Sequence, residues 1–308
     1  MHDAPTMHDA PTTVFGGTGF LGRAIVRELV EAGRAVRIAA RRPSLPDWLE
    51  PGDRVEAVAC DLRDEQQVAK VLEGSGAVIN AVSLYVEQRR SGLSFEEIHV
   101  TGAGRLARLA REAGVTRLVH VSGIGTSDAS PSAYISARFA GEHAVIDALP
   151  KAVILRPSVL FGPRDAFLAA LMRLARLPVM PLFGRGETRL QPVHVADVAR
   201  AAACLSDTRP LERRLFELGG PEVLQYRQVV EQVLAHLECR RPLLPVPFPI
   251  WHLLAALLAP LPSPPLTRDQ VILMQQDTIV GEGVGTFDDL GIVPRTLHDS
   301  LPTCLAAR

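Results

Sequence analysis

Cysteine is scarce in this chain. The four present, Cys60, Cys204, Cys239 and Cys304, lie far apart with no paired spacing, which excludes a disulfide framework and a cysteine zinc site and implies a reducing compartment. Charge of one sign is also lacking: Lys and Arg total 33 against 34 Asp and Glu, a net charge of −1, so no general field exists to hold nucleic acid. The histidines His99, His120, His143, His194, His236, His252 and His298 are scattered without ligand spacing, so no metal site is expected. No apolar run approaches the roughly 18 to 20 residues that span a bilayer. The nearest, IWHLLAALLA at 250–259, is framed by prolines on both sides and reads as a short buried helix, the alternative being an apolar surface that docks on a membrane or partner.

MHDAPT occurs twice, at 1–6 and 7–12, without the basic patch and apolar run of a secretory signal. Residues 1–11 are therefore expected to form a disordered tail, the second Met offering an alternative translation start. With 308 residues, 47% of them hydrophobic, the chain can bury a sizeable core. These features predict a soluble, globular, cytoplasmic protein, or one held peripherally at the inner face of the membrane.

Short β-branched runs at 12–15, 35–40, 54–60, 77–82, 117–122 and 152–157 alternate with helical spacing at 21–32, 65–72, 102–113 and 133–149. The alternation predicts an α/β fold: a Rossmann-like, doubly wound parallel sheet. After Arg156 prolines become frequent and amphipathic segments such as 167–177 and 226–237 dominate, which predicts a smaller, mostly helical C-terminal lobe. The expected division is a dinucleotide-binding domain over 12–157, with a return segment at 188–205, and a substrate or partner lobe over 158–187 and 206–308.

Directly after the first strand comes GGTGFLG, with Gly16, Gly19 and Gly22 three apart and a helix following at once. The first glycine permits the tight turn, the second brings backbone N–H groups to a pyrophosphate, and the third lets helix and strand pack closely. Thr18, Phe20 and Leu21 complete the set of loop residues expected at the cofactor. The carboxylate that would hold a ribose 2′-hydroxyl, about 20 residues on, is missing. Arg41 and Arg42 stand at the end of the second strand instead. Guanidinium groups match a 2′-phosphate, so NADP(H) is favoured over NAD(H); the bland alternative is a solvated basic turn.

With these motifs the sequence resembles an extended or atypical short-chain dehydrogenase/reductase. CDLRD places Asp61 and Leu62 where that family contacts adenine, and NAVS at 80–83 is similar to its turn beneath the cofactor, which implicates Asn80, Ala81 and Val82. RPSVLFGP, with Pro157 as a cofactor contact, and VHVADVA from Val193 resemble segments beside the nicotinamide and substrate cleft. A finer resemblance is to bacterial relatives of the alpha-subcomplex subunit nine of respiratory complex I. It is carried by YISARFAGE at 134–142, ILRPSVLFGP at 154–163, FGRGETRLQPVHVADVA at 183–199, FELGGPEVL at 216–224, PLTRDQVILMQQD at 265–277 and the closing TFDDLGIVP. That group is reductase-like in fold and in holding NADP(H), while its mitochondrial member is an accessory subunit without established turnover; some relatives are linked to coenzyme Q biosynthesis.

Tyr134 and Arg138 lie one helical turn apart, on one face of the helix after the fifth strand. The resemblance makes them a YxxxK site with one change. A phenol ordinarily titrates near 10, and the lysine of an active site favours phenolate, grips the nicotinamide ribose and feeds a proton relay. Arginine supplies charge and donors but does not readily release a proton, so catalysis is expected to be weak or lost. Ser122 is matched to the residue that polarises a substrate carbonyl, with Ser127 and Ser130 as alternatives. Arg185, Arg189 and Gln191 read either as contacts for an anionic substrate or as a solvated loop. Two functions follow: an NAD(P)H-binding, reductase-like accessory or assembly protein linked to a respiratory-complex or quinone-pathway partner, and an active NADP(H)-dependent oxidoreductase or epimerase using Tyr134 as acid/base.

Overall fold

The six β-branched runs become six parallel strands of one sheet in the computed structural model, which describes residues 10–88, 91–261 and 264–306. Apart from Ala10 and Pro11, the expected tail lies outside the described residues. The strands are β1 (Thr12–Phe15), β2 (Val36–Ala40), β3 (Val55–Ala59), β4 (Ala77–Asn80), β5 (Arg117–Val121) and β6 (Val153–Pro157). Between them run α1 (Phe20–Glu31), α2 (Glu65–Leu72), α3 (Gly102–Glu112) and α4 (Ala133–Ala148). Further on lie β7 (Leu160–Phe161), α5 (Ala166–Leu174), β8 (Met180–Phe183), β9 (Arg189–Leu190), β10 (Val193–His194), α6 (Val195–Leu205) and β11 (Leu215–Leu218). The chain closes with β12 (Leu224–Gln225), α7 (Tyr226–His236), β13 (Leu243–Val246), α8 (Phe248–Leu258), α9 (Arg268–Leu273) and α10 (Leu297–Ala306).

The main sheet runs β11-β6-β5-β4-β1-β2-β3, all parallel. Strand order reverses at β1, whose Phe15 pairs with Ala39 on one side and Asn80 on the other. A crevice opens at such a switch point, beyond the carboxyl ends of the strands. Both faces are covered, as the continuous apolar strands require. On one, Ile25, Val26 and Leu29 of α1 pack with Val198, Ala199 and Ala202 of α6; on the other, Val68, Leu72, Leu106 and Val145 pack from α2, α3 and α4.

The segment 215–218, placed by sequence in the smaller lobe, is instead the seventh strand of the main sheet, beside β6. The run LFEL carries no β-branched residue and is interrupted by Glu217, so it does not read as a buried strand; pairing with β6 makes it one. The first turns of the 188–205 segment also differ from expectation, because β9 pairs antiparallel with β12 while α6 lies on α1.

A third cluster, built mainly from α5, α7, α10 and β8, includes Phe161, Leu168, Met180, Tyr226, Val230 and Leu301. Against expectation, α8 is not a buried helix: it sinks only Trp251 and Ala255 and leaves Ile250, Leu253, Leu254 and Leu257 exposed, Leu257 to 69%. Apart from His252 the helix is apolar all round, and its neighbours cover one side only. Among the described residues no helix is long and apolar enough to cross a membrane.

Candidate dinucleotide and active site

The glycine loop joins β1 to α1 at the crevice. Gly16 has φ +77°, and a Cβ there would stand 2.9 Å from the Ala81 carbonyl carbon and oxygen. A Cβ on Gly22 would stand 2.1 Å from the Gly16 carbonyl oxygen, so any larger residue would push α1 off the loop. Gly19 caps α1 with no side-chain hydrogen bond, leaving the helix's first N–H groups and its positive end to a ligand. This cradle fits a diphosphate. Thr18 is half-buried and Phe20 exposed, whereas the Leu21 side chain packs into the core, leaving only its backbone for a ligand.

Arg41 and Arg42 are both exposed just past β2, where the carboxylate of a 2′-hydroxyl site would stand. Asp61 is already engaged: Arg63 donates to it through Nε at 3.0 Å and Nη2 at 2.7 Å. That guanidinium holds the Asp61 carboxyl below its usual range, with a smaller effect from Arg41. Leu62 is packed into the core and its carbonyl accepts from Arg105 at 2.9 Å, so both sequence-matched adenine positions are tied to the protein. Asn80 is buried, with its amide oxygen accepting from the Val82 N–H at 3.2 Å and its nitrogen 3.1 Å from His120 Nδ1. It therefore shapes the turn that sets Ala81 and Val82 against Gly16. Pro157 ends β6, with its carbonyl accepting from Ile124 at 3.1 Å.

Arg138 organises the second half of the site. Its Nη1 donates to Tyr134 Oη at 2.9 Å and to Ser83 Oγ at 3.1 Å, and Nη2 donates to the Val121 carbonyl at 3.1 Å. It is 7% exposed, and among the described residues no carboxylate pairs with it. The adjacent Ser122 is buried, and its Oγ and the Arg138 Nε have no hydrogen-bond partner among the described residues. Ser127 and Ser130 instead close local turns, accepting from Ala129 and Ser132. His99 and His120 are pushed down to about 3, first by burial and then by the Arg138 charge. The Tyr134 ring is walled by Phe95 and His99, each edge-on with centroids 5.5 Å away, and by Tyr85 stacked at 5.5 Å.

Ser83, Tyr85 and His99 were not assigned to the site from the sequence, although Ser83 ends the NAVS motif; they come from the β4 loop and from the π-helical turn Glu96–Thr101, which a distant Gly141 admits at close range. Arg189 and Gln191 are spent within the protein, Arg189 on Asp277 at 2.7 Å and Gln191 on Gly220 and Val280, while Arg185 remains exposed. In VHVADVA, His194 caps α6 and the fully buried Asp197 accepts from the Arg295 N–H at 2.8 Å, so this segment ties the C-terminal chain to the sheet.

Residues 12–219 match the NAD dependent epimerase/dehydratase family, and the chain belongs to it. Its fold is the NAD-binding, epimerase-like one: the Bordetella bronchiseptica enzyme WbmG, solved in complex with NAD, superposes with TM-score 0.70 over 96% of this chain and 93% of that one at 15% identity. Within the family the chain is similar along its length to an Arabidopsis thaliana protein, the mitochondrial NADH dehydrogenase [ubiquinone] 1 alpha subcomplex subunit 9, with 36% identity over 92% of this chain and 74% of the relative. A ceramide reductase of Caulobacter vibrioides is 35% identical over 60% of this chain and 57% of its own.

Proposed function

We propose that this protein holds NADP(H) in an accessory or assembly role for a respiratory-complex or quinone-pathway partner, with weak or no turnover. The observation that carries the reading is the pairing of an intact diphosphate cradle with Arg138 in the relay position, buried and bonded only to neutral acceptors. Its guanidinium orients the Tyr134 hydroxyl but holds its own proton, so no relay passes through it. A bound nicotinamide would supply hydride chemistry; the chain's contribution is to bind and seal. Arg41 and Arg42 would grip the 2′-phosphate, the glycine loop the diphosphate, and Ser122, Tyr134 and Arg138 the nicotinamide end. The similarity to the subunit 9 relative extends beyond the dinucleotide domain, and the exposed face of α8 offers a docking surface for a protein partner or a membrane interface. This reading places the protein peripherally, on the cytoplasmic face of the membrane.

Calorimetry with NADPH and NADH tests the cofactor. NADPH is expected to bind about tenfold or more tightly, the weight of one charge-assisted contact, and Arg41→Ala with Arg42→Ala should erase the difference. Equal affinity in the wild type would remove the preference, and brisk NADPH oxidation on soluble carbonyl compounds would overturn the accessory role. The second reading, an oxidoreductase or epimerase using Tyr134, is favoured by the 2.9 Å Arg138–Tyr134 contact; it predicts that Arg138→Lys gains turnover.

A further inference from the structure

We propose that Tyr85 is an access-controlling residue, a ring laid across Tyr134 that must swing aside before any ligand reaches the Tyr134–Arg138 pair. The inference rests on the NADP(H)-holding reading and specifies why that site is closed. Tyr134 is 7% exposed although it stands at the carboxyl end of the sheet, beside the crevice; Tyr85, stacked on it with planes 26° apart, is 59% exposed. The two rings divide into a sealed one and the one that seals it. The remaining walls, Phe95, His99, Ile135 and the α9 residue Leu273, belong to packed elements, and His99 is pinned by the Leu84 N–H and carbonyl at 3.3 and 3.0 Å. Tyr85 sits in the loop after β4, in no helix or strand, so of the groups around Tyr134 it is the one not fixed in a packed element. The two phenols face each other closely enough that Tyr134 raises Tyr85 above the ordinary phenol value.

The test uses the chain's three tyrosines. The full-length protein, its Tyr85→Phe variant and its Tyr85→Ala variant are treated briefly with tetranitromethane, and nitration at Tyr134 is followed by peptide mass spectrometry, with the buried Tyr226 as internal control. Tyr85→Ala should nitrate Tyr134 at least about fivefold faster than wild type, the factor that the stacking of one aromatic pair represents, while Tyr85→Phe keeps Tyr134 protected and Tyr226 stays unreacted in all three. Equal Tyr134 rates in wild type and Tyr85→Ala, or loss of protection in Tyr85→Phe, would overturn the proposal. NADPH calorimetry on the same samples keeps the outcomes apart: protection lost on schedule without NADPH binding sinks the holding function and leaves the lid, and binding with unchanged nitration does the reverse.

Discussion

The Ser132 hydroxyl donates to the carboxylate of Asp269, across 137 residues of sequence. Ser132 is the N-cap of α4, the helix that carries Tyr134 and Arg138, and the same carboxylate oxygen accepts from the Tyr134 N–H at 3.4 Å. Asp269 also lies in the first turn of α9, whose own capping box joins Thr267 and Gln270. One carboxylate therefore serves the positive ends of two helices and latches the C-terminal segment to the helix that carries Tyr134 and Arg138. Asp269→Ala is expected to lower stability by about 1 to 3 kcal/mol, with Asp269→Asn losing less, as measured by urea unfolding. An unchanged midpoint in both would show that the latch carries no weight.

Gly22→Ala is expected to weaken NADPH binding by at least about 30-fold, a cost near 2 kcal/mol, because the added methyl would meet the Gly16 carbonyl at 2.1 Å and spread the cradle. Gly19→Ala, whose methyl would stand 3.2 Å from the same oxygen, should lose less. Calorimetry gives both affinities, and circular dichroism checks that the variants remain folded.

Stability should fall on mild acidification through His99 and His120. Their folded pKa values near 3 lie below the ordinary 6.5, so the unfolded chain takes up protons that the native one refuses. Their contribution is complete above about pH 6.5 and is lost progressively as pH drops toward 3. Between pH 7.5 and 5.5 the pair should together cost about 3 kcal/mol at most, near 1.4 kcal/mol for each histidine per pH unit below 6.5. Urea midpoints across this range measure it, and His120→Gln should remove about half of the slope.

Glu142→Ala should destabilise the protein by about 3 to 5 kcal/mol, the cost of stripping one partner from a buried ion pair. Arg156 donates to Glu142 at 2.6 and 3.0 Å and to Glu217 at 3.2 Å, and Glu217 also accepts from the Gly281 N–H, so the network fastens α4, β6, β11 and the C-terminal chain together. A thermal melt reads the loss; Glu142→Gln, which retains a hydrogen-bond acceptor, should lose less.

The parts legible in the sequence are those that local physics dictates. The glycine spacing works through a positive φ and two close approaches within one turn, so it could be placed without knowing the tertiary structure; helical periodicity puts Tyr134 and Arg138 on one face, and the resemblance to YxxxK marks them as a site. Five of the six strands announced themselves because burial on both faces demands apolar runs, while β3, at the sheet edge and only partly buried, showed through its valines. Ser83, Tyr85, His99 and Asp269 could not be read in the same way, since each acts only where separate segments meet. The exposure of α8 was hidden for the opposite reason: its composition suits a core, and only the positions of its neighbours decide that one side is left uncovered. Asp61 shows a residue at the expected place whose oxygens are already claimed by the arginine two positions on.

Native mass spectrometry of the protein purified gently from its own host puts the central claim to the most direct test. The account predicts a chain carrying NADP(H), together with a population bound to a respiratory-complex or quinone-pathway protein. A chain that emerges alone and free of nucleotide would contradict it.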